Sequence, residues 1–167
     1  MDSTGLRELQ APFKAKYRDD PGAAVVTLRA HGDLANDAIV CKVATGQALI
    51  EAGLHPATGG TGLEACSGGM LLEALVACAG VTLKAVATAI DFHLRGGSVS
   101  AEGDLDFRGT LGVERGAPVG FREIRLKFTL ETDEPEERRQ SLLKLTERYC
   151  VVLQTLRTPP MLQASLG

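Results

Sequence analysis

Four cysteines and three histidines are the side chains of this sequence most able to do chemistry, and their spacing narrows what that chemistry is. Cys41, Cys66, Cys78 and Cys150 include no Cys-x-x-Cys pair. They are too sparse to form a disulfide scaffold in a chain with a full-sized core, which leaves catalytic thiols and merely buried thiols as the two open readings. Cys78 has Ala74 one turn before it and Val81 and Thr82 one turn after it in a helical run. Its thiol is therefore expected in a small-residue, mostly apolar environment. A lone cysteine there is more often core than reagent, since free cysteine is among the most buried side chains. Cys41 alternates with apolar neighbours on a strand and reads as core, and Cys66 is an extra thiol just ahead of the helix. His31, His55 and His93 show no ligand spacing with one another or with the cysteines, so no metal is expected. Gly59-Gly-Thr-Gly62 lacks the lysine of a phosphate loop, and no Gly-x-Ser-x-Gly elbow is present, so no cofactor is expected either.

The element that must position Cys78 is the stretch Met70 to Ile90, which has no proline and six alanines among strong helix formers. Its apolar residues Leu71, Leu72, Leu75, Val76, Val81, Leu83 and Val86 project all round the turn. Such a helix needs cover on every side. Glu73 and Lys84 leave only about 10 uninterrupted apolar residues between them, roughly half of a bilayer crossing, so no membrane span is expected. Gly68-Gly69 is expected to turn the backbone into this helix with Ser67 as its cap, and Gly96-Gly97 to stop it.

Strands are expected on either side. Phe13 to Tyr17 and Ala24 to His31 flank the turn Arg18-Asp-Asp-Pro-Gly22 as a hairpin. Ile39 to Val43 and the short strand Gly46 to Gly53 follow, and Leu54 to Gly62 reads as a long loop. After the helix, Val99, Ala101, Gly103, Leu105 and Phe107 alternate with polar residues, as do Ile124, Leu126, Phe128 and Leu130. Acidic residues of the first of these strands opposite basic residues of the second predict weak cross-strand pairs on a solvated face. Thr132 to Glu137 opens a last helix with capping side chains, an early proline and first-turn acid, with Leu142, Leu143, Leu145 and Tyr149 as its apolar positions. Cys150 to Leu156 continues it or begins another, and Thr158 to Leu162 is a break before a possible last strand. Strands, helix, strands, helix without regular βαβ alternation predict an α+β fold.

At 167 residues and 44% hydrophobic content, one domain spanning 1–167 is expected. With 18 basic and 21 acidic residues and no long basic run, neither nucleic acid nor an anionic membrane is an expected partner. Residues 1 to 10 lack the basic and apolar regions of a signal peptide, and a cytoplasmic location is expected. The alanines and Gly80 of the helix permit close approach of another helix, so a homodimer is expected to supply the missing cover.

Leu71-Leu-Glu-Ala-Leu-Val-Ala-Cys78 in a central helix, a two-strand interlude, and Glu147-Arg-Tyr-Cys150 near the end resemble the OsmC/Ohr family of thiol peroxidases, over about Phe13 to Leu156. The resemblance implies antiparallel sheets around a buried central helix in an intertwined homodimer. It implies that Cys78 is peroxidatic towards organic hydroperoxides, that Cys150 resolves the product as a disulfide, and that an external dithiol restores both. It further implies a cation from the amino-terminal hairpin, for which Arg18 is the best match and Arg29 the second. Two departures stand out. The family's glutamate about three turns before the first cysteine is replaced by Gly68-Gly69, with Glu64 or Glu73 as possible substitutes, and the proline that usually follows the second cysteine is Val151. The missing glutamate favours an alternative: a non-catalytic member of the fold that binds a small hydrophobic molecule between its subunits.

Overall fold

In a computed structural model of the chain, the described residues are 2–5, 7–8, 11, 19, 32–34, 40–44, 49–112 and 114–167, the segments 32–34 and 40–44 by their backbone alone. The expected hairpin, Arg18 and Arg29 lie outside them. The elements run β1 (Gly32–Leu34), β2 (Val40–Ala44), β3 (Leu49–Gly53), a 3-10 turn (Pro56–Thr58) and β4 (Ala65–Cys66), then α1 (Ser67–Ala89). They continue with β5 (Gly96–Leu105), a one-turn helix α2 (Phe107–Thr110), β6 (Phe121–Glu131), α3 (Glu136–Tyr149) and α4 (Val151–Arg157). This is the expected mixture of helix and strand. The contacts divide it into two compact units, one of residues 1–19, 74–100 and 126–167, the other of 20–73 and 101–125.

The second of these units carries a sheet in the order β1-β2-β3-β4. Its first three strands are antiparallel, with Cys41 of β2 opposite Leu34 and Ala52. β4 instead runs parallel to β3, pairing Ala52 with Ala65, which corrects the expectation of purely antiparallel sheets. The cause is the long loop after β3, which carries the chain back far enough to start again in the same direction. That loop is ordered by His55, whose Nδ1 accepts the Ala57 N–H at 3.0 Å and whose ring stacks on Phe107 with centroids 4.8 Å apart. Phe107 was expected to extend β5; Asp106 ends that strand by capping α2 through the Arg108 N–H.

Ser67 is the first residue of α1, not a cap outside it, and Gly68-Gly69 lie in its first turn. A Cβ at Gly68 would stand 3.5 Å from the Phe121 ring and 3.6 Å from Leu105, so glycine lets that turn lie close against both side chains. Gly96-Gly97 likewise open β5 instead of ending the helix, which stops at Ala89 before Asp91 at φ 49°. Gly97 has φ 147°, and a Cβ there would fall 2.2 Å from the Thr129 carbonyl. Only glycine fits that crossing.

β5 and β6 form a two-stranded sheet. Val99, Ala101, Gly103 and Leu105, and Ile124, Leu126, Phe128 and Leu130, turn inward as the alternation predicts. On the solvated face the Arg125 guanidinium takes both oxygens of Asp104, one at 2.9 Å, and lies 3.6 Å from Glu102. These exposed pairs are the cross-strand pairing the sequence predicts, and each contributes little.

In the first unit, Leu83, Ala87, Phe92 and Leu142 form the buried core, with Val86, Ile90, Leu94, Phe128 and Leu130 against it. The residues just past α1 are tied to α3 by Arg138, which donates to the carbonyls of Ile90 (3.0 Å) and Asp91 (2.9 Å) and lies over the Phe92 ring. α3 begins one residue after Pro135, which occupies the capping position without a side-chain cap bond; Glu136 and Glu137 supply the expected first-turn acid. Thr132 sits ahead of the helix proper: its hydroxyl donates to the His93 carbonyl at 2.6 Å and accepts the Glu134 N–H at 3.1 Å. Leu142 and Thr146 are the buried positions of α3, while Tyr149 is exposed. Thr146 fits because its hydroxyl donates to the Leu142 carbonyl at 2.8 Å, so no polar atom is stranded. No strand follows α4; residues 158–167 form no regular element.

α1 is long and apolar enough, by length and composition alone, to cross a bilayer. Leu75, Ala79, Leu83 and Ala87, each four residues from the last, are buried within the chain. The opposite face is not: Val81 is 72% exposed, and Ala74, Ala77 and Ala85 are exposed beside it. The single chain thus clothes one stripe of this helix, where the sequence predicts cover all round.

Candidate functional site

Cys78 lies near the middle of α1 and Cys150 at the joint between α3 and α4. Cys150 closes α3, its N–H donating to the Thr146 carbonyl at 3.0 Å, and opens α4, its own carbonyl accepting the Gln154 N–H at 2.9 Å. The extended backbone at this single residue (φ −73°, ψ 109°) breaks the helix without a glycine or a proline. It turns the first amides of α4 and the Cys150 side chain toward Cys78.

The two thiols are near enough to act on each other's ionisation. Cys78 is half-buried and Cys150 wholly buried, and both are free thiols, as is the half-buried Cys66 at the end of β4. Burial pushes the Cys78 thiol up, but hydrogen bonds from the Val152 amide, the Cys150 thiol, the Val151 amide and the Thr82 hydroxyl outweigh it and hold the group below the ordinary cysteine value. Burial pushes Cys150 up as well. There the Leu153 and Val152 amides pull the other way, but the sulfur of Cys78 adds to the rise and Cys150 ends above its ordinary value. The pair therefore carries its first negative charge on Cys78, with Cys150 as the donor. This asymmetry matches a nucleophile beside a protonated partner.

Sequence reasoning brought forward both cysteines and named Thr82 as a neighbour, but it missed the Val151 and Val152 amides. The signal that could have found them is the uncertain continuity at Cys150: a break there exposes the next residues' N–H groups. Neither possible glutamate substitute is placed against Arg18, which lies outside the described residues. Glu64 accepts the Thr61 hydroxyl at 2.5 Å, which lowers its carboxyl below the usual range. Glu73 is exposed and, five residues before Cys78, points about 140° away round the helix. Among the described residues no cluster of His, Cys, Asp and Glu could hold a metal ion.

A groove of about 450 Å³ lies along the same helix beside Val76, Gly80 and Val81, across to Val99 and Leu130, with Lys84 and Arg95 also lining it. Arg95 is engaged by the carboxylate of Asp133. Cys78 does not line this groove.

A helix-borne thiol facing a second thiol at a helix joint, in a mixed α/β chain, defines a candidate dithiol centre. The chain belongs to the OsmC-like family: the model of that family, described as OsmC-like protein, matches residues 60–165. Its fold is similar to that of an OsmC-like protein from Mycoplasma pneumoniae, with 19% identity, 80% of this chain and 89% of that one covered, and a TM-score of 0.66. It is also similar to an organic hydroperoxide resistance protein from Elizabethkingia anophelis (18% identity, 81% and 91% covered, TM-score 0.64). A third is an organic hydroperoxide resistance protein OsmC from Legionella pneumophila (14% identity, 80% and 93% covered, TM-score 0.62). At these identities the likeness is one of fold. No curated protein sequence matches the chain.

Proposed function

We propose that this chain is a cysteine-based thiol peroxidase that reduces organic hydroperoxides to alcohols through a Cys78–Cys150 disulfide. The observation that supports the reading is the opposed pair: neighbouring thiols on α1 and at the α3–α4 joint, Cys78 held below and Cys150 above the ordinary cysteine value. The Cys78 thiolate attacks the terminal oxygen of ROOH, an S–O bond forms, the O–O bond breaks and RO⁻ leaves to take a proton as ROH. Sulfur loses two electrons and the peroxide gains them. The thiol of Cys150 then displaces water from the sulfenic acid, closing the disulfide, and an external dithiol reduces it by exchange. Small apolar neighbours favour an alkyl hydroperoxide over hydrogen peroxide. Arg18 is the proposed cation for the thiolate and the departing oxygen. The working form is proposed as a homodimer in the cytoplasm; the face of α1 left uncovered by its own chain supports the dimer.

One equivalent of tert-butyl hydroperoxide should consume two thiols per chain and yield a Cys78–Cys150 peptide on non-reducing mapping. A Cys66–Cys78 peptide would reassign the resolving role, and unchanged thiols would remove the peroxidase reading.

The groove beside Val81 favours a second reading, in which a small hydrophobic molecule binds along α1 and the thiols take no part. Arg18→Met separates the two. As the cation, Arg18 contributes about tenfold to a hundredfold to the rate with hydroperoxide, whereas ligand binding in the groove should not respond to its loss.

A further inference from the structure

One residue, His55, organises the loop between β3 and β4. Its carbonyl accepts the Thr58 N–H at 2.8 Å, the Thr58 hydroxyl at 2.8 Å and the Gly60 N–H at 3.2 Å. Its ring Nδ1 caps the 3-10 turn Pro56–Thr58 by accepting the Ala57 N–H at 3.0 Å, and the ring lies stacked on Phe107 with the two planes 22° apart. A backbone amide can only donate, so Nδ1 is bare and the ring hydrogen sits on Nε2. Capping is ordinarily the work of Ser, Thr, Asn or Asp, whose oxygens go on accepting in mild acid. Imidazole is different: its charge changes between about pH 5 and 8.

We propose that His55 is a proton-sensitive latch on this loop, closed while its ring is neutral and released when Nδ1 takes up a proton. The protonated ring carries a hydrogen on both nitrogens, so no rotation of it restores an acceptor for Ala57. It also stays on Phe107, because a cation is attracted to an aromatic face. The ring is thus held in place with a donor where the turn needs an acceptor, and the turn gives way. The charged groups on the elements around it are Asp106 and Arg108 of α2, Glu64 at the far end of the loop and Glu51 of β3. Asp106 is held by Arg108 at 2.6 Å and Glu64 by the Thr61 hydroxyl at 2.5 Å, and neither is paired with His55 to keep a charged ring in a closed loop. The latch lies apart from the chemistry proposed for Cys78 and does not rest on it.

The test is amide–water exchange at Ala57, Thr58 and Gly60, followed by NMR on the full-length protein between about pH 7.5 and 5, each rate divided by its intrinsic value at the same pH. Wild type is compared with His55→Asn and His55→Ala. Asparagine offers an amide oxygen in place of Nδ1 and does not titrate, whereas alanine offers no acceptor. Wild-type protection at Ala57 should fall by up to about tenfold towards acid, with the same midpoint as the ring nitrogen resonances of His55. His55→Asn should keep its protection throughout, and His55→Ala should lack it throughout. A wild-type profile flat in pH overturns the proposal, and this arm needs no variant to fold. A midpoint that differs from that of the His55 ring overturns it too, as does a fall in His55→Asn equal to that of wild type, which would trace the effect to a carboxylate such as Glu64. Should asparagine fail to close the turn, the coincidence of the two wild-type midpoints decides alone.

Discussion

Cys150 and Cys78 act on each other's ionisation in opposite senses: the Cys150 thiol favours the charge on Cys78, while the Cys78 sulfur disfavours it on Cys150, even with the Val152 and Leu153 amides beside that residue. Burial nevertheless wins at Cys150 and loses at Cys78. The difference lies in the count of donors reaching each sulfur and in which of the two thiols is charged first.

Alkylation should therefore separate the thiols by pH. Cys78 is expected to react with a midpoint below the roughly 8.5 of free cysteine, and Cys150 above it. Linkage gives stability the opposite dependence at the two sites. The contribution of Cys78, whose folded value is depressed, is present above the unfolded value and lost as pH falls through the folded one. That of Cys150, whose folded value is raised, is present below the unfolded value and lost as pH rises through the folded one. Peptide-resolved iodoacetamide kinetics between pH 5 and 10 check the order; a faster Cys150 at neutral pH would reverse the assignment of roles.

Val151 offers a substitution that acts on one backbone atom. It is the first residue of α4, a position at which proline fits a helix and costs no intrahelical bond. Val151→Pro removes the N–H that reaches Cys78, whereas Val151→Ala keeps it. The proline variant should fold, raise the Cys78 alkylation midpoint and slow the reaction at pH 7 by up to about tenfold. The alanine variant should match wild type. Equal profiles for all three would show that the Val151 amide does not support the thiolate.

The uncovered face of α1 predicts self-association. Val81→Glu places a charge where the proposed dimer buries an apolar side chain, and loss of an obligate interface of roughly 2,000 Å² or more would leave an unstable monomer. Sedimentation should show wild type as a dimer at micromolar concentration and the variant as monomer or aggregate. A wild-type protein that sediments as a stable monomer would end the dimer proposal.

The sequence was most legible where a period repeats. Val99 to Leu105 and Ile124 to Leu130 alternate so cleanly that strand, inward face and the Arg125–Asp104 pairing all follow. The helix around Cys78 followed from composition, and the two cysteines from a resemblance. What could not be read depends on backbone placed by distant contacts. Gly97 resembles a helix stop until the Thr129 carbonyl is found 2.2 Å from where its Cβ would be. Thr146 carries no apolar signal, yet it is fully buried because its hydroxyl is satisfied within its own helix. The amides of Val151 and Val152 have no signature in residue type, since every residue but proline owns such a group.

Arg138 fastens the end of the helix that bears Cys78 to the helix that leads into Cys150. Both sulfurs are thereby carried on one frame, and their encounter is set by geometry and not by how much protein is in solution. Such a pair has a fixed and high effective molarity. Closing the Cys78–Cys150 bond should proceed at the same rate in dilute and concentrated samples, whereas any bridge between chains through Cys66 must slow in proportion as the protein is diluted.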